Sequence, residues 1–198
     1  MNEQLILASA SPRRKELLDQ IGVSYIVHTV DVDETPKVGE FAIDYVVRIA
    51  AEKSAVCLNE LHGTLPILAA DTSVVIDGHI LGKPRDKADA LSMLKQLSGK
   101  THTVYSAVSL RCKGSSSEFQ HFQVLSKTEV QFRQITTKEM HNYWATGEPQ
   151  GKAGGYAIQG LASIFVESIT GSFSGVVGLP LFETAQLLFK QGINILHE

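Results

Sequence analysis

Cysteine is scarce in this chain of 198 residues, which has only Cys57 and Cys112, in separate segments. Such a pair has neither the spacing of a metal site nor the number expected of a disulfide framework, and this favours an intracellular setting. We expect both thiols to be small buried hydrophobes. The sequence also lacks any run that approaches the roughly 18 apolar residues of a membrane helix.

The first residues lack the order of a signal peptide. Only the run from Leu5 to Ala8 is apolar before Arg13, Arg14 and Lys15, whereas a signal peptide begins with its charges and continues with a longer apolar stretch. Together with the absent membrane helix, this predicts a soluble, cytoplasmic protein.

An excess of charge of one sign is also missing. The chain has 18 lysine and arginine residues against 21 aspartate and glutamate residues, a formal net charge of −3. Without a strong basic field we expect no binding to nucleic acid polymers, so any anion site must be built locally. Hydrophobic residues make up 43% of the chain and charged residues 20%, a globular composition that excludes intrinsic disorder and fibrous repeats.

Helix and strand patterns alternate along the whole chain. Strands are predicted at 5–8, 25–30, 66–76, 101–111, 122–132 and 163–169, and helices at 12–20, 41–61, 87–97, 136–146 and from 180 onward. Asp77-Gly78 predicts a hairpin, and residues 113–117 a polar loop. We therefore expect one domain over residues 1–198, of α/β or α+β class with a mixed sheet.

The sharpest local feature is the segment Ser9-Ala10-Ser11-Pro12-Arg13-Arg14-Lys15. A strand ends there, and a helix begins with Ser11 as the predicted N-cap and Pro12 in the first turn. Free N–H groups and the helix dipole attract anions at such a place, and two arginines add bidentate phosphate donors. Because arginine at a helix start opposes the dipole, we interpret the segment as an anion site. A solvated helix start with an ordinary serine cap is the alternative.

Asp71 interrupts the apolar run 68–76. A lone carboxylate there is costly unless it is paired or bound to metal, so metal ligation or general-base catalysis would account for it. An aspartate satisfied by backbone donors remains an equal alternative. Glu34 lies in an acidic turn with Asp31 and Asp33, whose oxygens suit a hard cation such as Mg²⁺, although an exposed acidic turn is the simpler interpretation.

Taken one at a time, Lys53 and Lys83 are best interpreted as solvated lysines. If they meet Arg13, Arg14 and the two carboxylates, the set forms a cradle of cations and metal for a polyphosphate, but the sequence alone does not establish that they converge. Gln159 lies in the glycine-rich segment 154–160, and its amide can read the edge of a base with one donor and one acceptor. A structural glycine turn is the alternative.

These motifs together resemble the Maf family of nucleotide pyrophosphatases. The match extends over nearly the whole chain, in segments 7–14, Glu34, 48–53, 70–72, 83–85, 98–99, 101–102, Ser106, 147–149, 152–154, 156–160 and 177–180. The resemblance implies an elongated α/β fold with a mixed β-sheet, flanking helices and two lobes around a cleft, related to inosine triphosphate pyrophosphatases. It also implies a homodimer that hydrolyses nucleoside triphosphates to monophosphate and pyrophosphate with Mg²⁺ or Mn²⁺.

The resemblance further assigns roles to individual residues. Asp71 matches the catalytic carboxylate, and Glu34 joins it on the metal side. The phosphate-handling positions are matched by Ser9, Arg13, Arg14, Lys53 and Lys83.

Three positions bear on the substrate. The combination of Arg13, Thr72 and Gln159 resembles the dTTP/UTP subgroup, and the 7-methyl-GTP subgroup differs there. We therefore predict hydrolysis of dTTP and UTP, with modified or damaged pyrimidine nucleotides as further candidates. Two alternatives stay open, a 7-methyl-GTP pyrophosphatase and a nucleotide-binding regulator of septum formation, the process with which the family is associated. Asp71 argues for chemistry, because a pure binder gains little from a carboxylate beside polyphosphate.

Overall fold

The computed structural model describes residues 3–61, 63–113 and 119–195. Its strands are β1 (Leu5–Leu7), β2 (Tyr25–Val27), β3 (Ile67–Ile76), β4 (His79–Leu81), β5 (Thr101–Lys113), β6 (Phe119–Phe132) and β7 (Val166–Thr170). Its helices are α1 (Pro12–Gln20), α2 (Ala42–Glu60), α3 (Lys87–Leu97), α4 (Thr137–Ala145), α5 (Phe173–Val177) and α6 (Leu181–Lys190), with 3₁₀ turns at Ala153–Gly155 and Leu161–Phe165. Of the predicted polar loop, Lys113 ends β5 and residues 114–117 lie outside the described ranges.

The strands join in one mixed sheet. Their order is β2-β1-β3-β5-β6-β7, with β4 paired to β3. The pairings of β1 with β2 and with β3 are parallel, and the remaining pairings are antiparallel. The predicted class, a mixed sheet with flanking helices, is confirmed.

Two short strands share one edge of β3. The opposite edge is paired with β5 from Ile67 to Val75. Since a strand has two edges, β1, which pairs at Ile67 and Leu68, and β4, which pairs from Val74 to Ile76, both lie on the remaining one. Within the described ranges, no strand covers this edge from residue 69 to residue 73. The sheet therefore has a gap in front of Asp71.

The alternation of side chains along β3 gives each face of the sheet its own core. Leu68 and Ala70 belong to the larger core, whereas Ile67 and Ala69 pack with Cys57 of α2 on the opposite face. Because side chains alternate along a strand, Asp71 lies on the α2 face of the sheet and Thr72 on the opposite face. Both cysteines are buried and free, as predicted.

Two local predictions need correction, and one helix was missed. Strand β2 ends at Val27, short of the predicted residue 30, because its partner β1 has only three residues. The strand predicted from residue 163 begins at Val166, because the preceding 3₁₀ turn buries Ala162 and Phe165 in the core. Helix α5 was not predicted, since its five residues are too few to show a helical period. None of the helices in the described ranges has the length and apolar character needed to cross a membrane.

Candidate active site

A cavity of about 680 Å³ opens at the gap in the sheet. This volume is in the range of small-molecule sites. The residues that the sequence singled out all line it: Ser9, Arg13, Arg14, Glu34, Lys53, Asp71, Thr72, Lys83 and Gln159. The convergence that the sequence left open is therefore present in the structure.

The corner between β1 and α1 forms one wall of the cavity. Helix α1 begins at Pro12 with Ser11 in the N-cap position, but the Ser11 hydroxyl makes no capping hydrogen bond. Instead, the N–H of Ser11 donates to Ser9 Oγ at 3.2 Å, and Arg14 Nη1 donates to the same oxygen at 3.0 Å. The alternative of an ordinary serine cap at Ser11 is therefore wrong, because no side chain among the described residues caps the first turn of α1.

The two arginines tie α1 to the chain that follows α5. Arg14 Nε donates to the carbonyl of Gly178 at 2.9 Å, and Arg13 Nε donates to that of Val177 at 3.1 Å. Burial lowers the pKa of both guanidinium groups, and the nearby Asp71 carboxylate offsets part of this effect at Arg14. An anion in the cavity would offset it further.

Opposite the arginines, Lys53 of α2 joins the two carboxylates. Its Nζ lies 2.6 Å from Glu34 Oε1 and 2.9 Å from Asp71 Oδ1, while Lys83 Nζ lies 3.2 Å from Glu34 Oε2. The Tyr45 hydroxyl donates to the Glu34 carbonyl at 2.9 Å and fixes that turn. Burial by itself would raise the pKa of Glu34, but Lys53 and Lys83 together lower it. The cost of a carboxylate inside β3 is thus met by an ion pair and not by backbone donors.

The cavity wall is positively charged although the chain is not. Among the described residues its lining includes five basic side chains, those of Arg13, Arg14, Lys53, Lys83 and Lys152, and two acidic ones, those of Glu34 and Asp71. Sequence reasoning gave Lys152 no role, yet it is the one basic residue between 147 and 160. Burial and the neighbouring Arg13 lower the pKa of Lys152.

Thr72 reaches the same cavity from the other face of β3, because the strand edge is bare at this point. The Ser106 hydroxyl donates to the Gly175 carbonyl at 2.6 Å. The single Thr72 hydroxyl proton then has two acceptors within reach, Ser106 Oγ at 3.0 Å and the Gly178 carbonyl at 3.5 Å. The Thr72 oxygen therefore offers only lone pairs to a ligand.

The glycine-rich segment closes the far wall. The N–H of Gly154 donates to the Gly82 carbonyl at 3.0 Å, and a Cβ on Gly154 would lie 2.9 Å from Val74 Cγ1. The structural reading of this glycine is therefore correct. Gln159, farther along, is exposed at the cavity and makes no hydrogen bond to the described residues.

Comparison with known proteins points to one family. A family model described as Maf-like protein matches residues 4–191. The chain is 52% identical over 191 residues to a dTTP/UTP pyrophosphatase of Methylococcus capsulatus, covering 96% of this chain and 92% of that protein. It is 49% identical over 200 residues to a dTTP/UTP pyrophosphatase of Bordetella parapertussis, covering 97% and 94% of the two chains.

Two further proteins are similar to the chain. A nucleoside triphosphate pyrophosphatase of Haemophilus ducreyi is 46% identical over 200 residues and is covered to 99%, as is this chain. A solved dITP/XTP pyrophosphatase of Mycobacterium abscessus has 17% identity and a TM-score of 0.40, over 66% of this chain and 75% of that one, too weak a likeness to carry an inference. The family model and the relatives at about half identity agree, and the chain belongs to the family of Maf-like proteins.

Proposed function

We propose that this chain hydrolyses dTTP and UTP to the nucleoside monophosphate and pyrophosphate. The observation that carries the proposal is the cationic cavity built around the paired carboxylates of Glu34 and Asp71 at the gap in the sheet. Relatives that are named dTTP/UTP pyrophosphatases, at 52% and 49% identity, support the choice of substrate.

The phosphates are held by the basic side chains. Arg13 and Arg14 at the start of α1, together with Lys83 and Lys152 on the cavity wall, neutralise the triphosphate, and the Ser9 hydroxyl lies at the corner between β1 and α1. Such charges act before the reaction begins, because their positions are set by the fold. Pyrophosphate then leaves with its charge already compensated.

Asp71 serves as the general base. Lys53 contacts its Oδ1, and Oδ2 makes no hydrogen bond to the described residues, which leaves one oxygen to accept a proton. That oxygen takes a proton from a water molecule, and the oxygen of this water attacks a phosphorus of the α–β anhydride. The P–O bond of the anhydride breaks, and its electron pair stays on the leaving group.

The carboxylates also fit a divalent cation such as Mg²⁺ or Mn²⁺. Among the described residues no cluster of three histidine, cysteine, aspartate or glutamate side chains is present. Mg²⁺, however, is commonly held by one or two carboxylates together with substrate phosphates and water. Glu34 and Asp71 would hold the ion, which supplies charge neutralisation and polarisation of the phosphoryl oxygens.

Gln159 and Thr72 recognise the nucleobase of the substrate. Because the Thr72 oxygen has only lone pairs to offer, it suits the N3–H donor of thymine and uracil better than the N3 acceptor of cytosine. We also expect a homodimer, as the family resemblance implies, that acts in the cytoplasm on small nucleotides and not on nucleic acid polymers.

The proposal is tested with Asp71→Asn, which removes the base and preserves its shape. We expect turnover of dTTP and UTP to fall by about 100- to 10,000-fold. Turnover is measured by separate detection of the monophosphate and pyrophosphate products. The control is Asp77→Asn, at the hairpin after the same strand, where the carboxylate pairs with Lys100 outside the cavity. Unchanged turnover in Asp71→Asn would contradict the catalytic role, and a preference for 7-methyl-GTP in the wild type would contradict the substrate.

A further inference from the structure

The backbone on both sides of Gln159 is held by two side chains that do not line the cavity. On the N-terminal side, the N–H of Ala157 donates to the Tyr143 hydroxyl at 3.2 Å. That hydroxyl in turn donates to Glu148 Oε1 at 2.8 Å. The last turn of α4 and the residues after it are thus connected to the segment that carries the amide.

On the C-terminal side, Glu148 itself makes the contacts. Its Oε2 accepts the N–H of Leu161 at 2.9 Å, and its Oε1 accepts the N–H of Ala162 at 3.2 Å. The chain passes so close to this carboxylate that a Cβ on Gly160 would collide with it. Gln159 therefore lies between two attachment points that meet at one carboxylate.

The charge states of Tyr143 and Glu148 suit these hydrogen bonds. Burial raises the pKa of Tyr143, so its hydroxyl keeps the proton that it donates. Burial would raise the pKa of Glu148 too, but the hydrogen bonds from Leu161, Tyr143 and Ala162 together lower it. An ionised acceptor with three donors makes strong hydrogen bonds.

We propose that Tyr143 and Glu148 are positioning residues for base recognition, which fix the backbone around Gln159 and thereby the place from which its amide meets a pyrimidine. The inference rests on the proposed function. A primary amide carries a donor and an acceptor, and by rotation about its own side-chain bond it can match either uracil or cytosine. Discrimination therefore depends on a second contact, the lone pairs of the Thr72 oxygen, and a held backbone keeps the Gln159 amide and Thr72 in position for the same base.

The test compares kcat/KM for UTP and CTP in Tyr143→Phe and Glu148→Gln. We expect the UTP-to-CTP ratio to fall by about tenfold in Tyr143→Phe, mainly through KM for UTP, as for the loss of one hydrogen bond. Inhibition by inorganic tripolyphosphate should stay within about twofold of wild type, because the Glu148 charge near Lys152 is kept. Glu148→Gln should lower the ratio at least as far, since its amide NH₂ faces N–H donors.

Glu139→Gln is the matched control. Glu139 caps the start of α4 through Thr136 and pairs with Arg133, and among the described residues it makes no hydrogen bond or ion pair with residues 157–162. It should lower the thermal midpoint without changing the UTP-to-CTP ratio.

Two kinetic outcomes would overturn the inference. One is a ratio within about twofold of wild type in Tyr143→Phe. Another is an equal loss of UTP turnover, CTP turnover and tripolyphosphate inhibition, which indicates general loosening. If the wild type hydrolyses no nucleotide, the proposed function fails, and calorimetric binding of α,β-imido-dUTP against α,β-imido-dCTP then decides the inference. A fall of that binding ratio in Tyr143→Phe supports it, whereas an unchanged ratio, or a wild type that binds neither analogue, overturns it.

Discussion

The two ends of the cavity are built in different ways. At the cationic end the functional side chains extend from regular elements: Arg13 and Arg14 from α1, Lys53 from α2, and Asp71 from β3. At the opposite end Gln159 lies between two 3₁₀ turns, on a segment without regular structure of its own. The first end is held by the sheet and helices, and the second by side chains that bind its backbone.

This difference separates two kinds of dependence. At the cationic end the charged side chains hold one another in place, as in the contacts of Lys53 with Glu34 and Asp71. The loss of one charge therefore weakens phosphate binding by the whole group. At the Gln159 end, hydrogen bonds and close packing hold the main chain, so the loss of one contact makes that main chain less well fixed. Sites placed on helices and strands keep their geometry better than sites on loops, and we expect the segment around Gln159 to be the more sensitive to small backbone changes.

Among the substitutions that compare the two ends, the largest effect is expected for Arg14→Met at the cationic end. The substitution removes a donor to the cavity and the hydrogen bonds to Ser9 Oγ and the Gly178 carbonyl. We expect kcat/KM for dTTP to fall by about 100- to 1,000-fold, as for the loss of one preorganised donor. Inhibition by inorganic tripolyphosphate should weaken in parallel, because the lost contact does not involve the base.

Lys15→Met is the control for this prediction. Lys15 is the next basic residue of α1 and is not among the residues that line the cavity. Its removal should leave both measurements within about twofold of wild type. Tripolyphosphate inhibition that survives in Arg14→Met would show that Arg14 does not bind phosphate.

A smaller effect, on stability, is expected for Gly154→Ala in the glycine-rich segment that leads to Gln159. Gly154 has a φ of +67°, and an added Cβ would lie 2.9 Å from Val74 Cγ1. Gly151 also has a φ of +67°, but nothing lies within 4 Å of its added Cβ. We expect the free energy of unfolding in urea to fall by about 1 kcal/mol in Gly151→Ala, from backbone strain alone, and by about 2 to 3 kcal/mol in Gly154→Ala. Equal losses would mean that the close packing against β3 contributes nothing.

Single residues of the cationic end could be picked out from the sequence because their signals are local, although their convergence could not. Pro12 fixes the start of α1, and Asp77-Gly78 fixes the hairpin that brings Lys83 back toward β3. A carboxylate in the middle of an apolar strand is unusual enough to single out Asp71 without further context. Each of these signals lies within a few residues, where steric preference and capping decide the structure.

The rest depends on contacts between distant parts of the chain. The gap in the sheet exists because β1 and β4 occupy the same edge of β3, a pairing that no local pattern encodes. Lys152 becomes part of the cavity only because Gly154 contacts Gly82, and the strand predicted from residue 163 gives way to a 3₁₀ turn because tertiary packing buries Phe165. Local propensity does not contain this information.

The smallest effect concerns the coupling of charges at the cationic end, and Lys83→Met tests it. The pKa of Glu34 is lowered by Lys53 and Lys83 against the opposing effect of burial. A carboxylate with a lowered pKa stabilises the fold above its ordinary value of 4.5, and this contribution is lost as the pH falls through the lowered pKa. Without Lys83 the pKa of Glu34 should rise toward 4.5, so the contribution becomes smaller and its loss is complete at a higher pH. The shift should be small and should shrink further in salt, because the Glu34 side chain is 40% exposed and that of Lys83 62%.

Carbon-detected NMR titration of the Glu34 carboxyl measures this pKa shift, with Lys100→Met, which loses a pair at Asp77, as the control. A Glu34 titration that is the same in wild type and Lys83→Met would mean that these charges do not hold one another, and the contrast between the two ends would then rest on Lys53 alone.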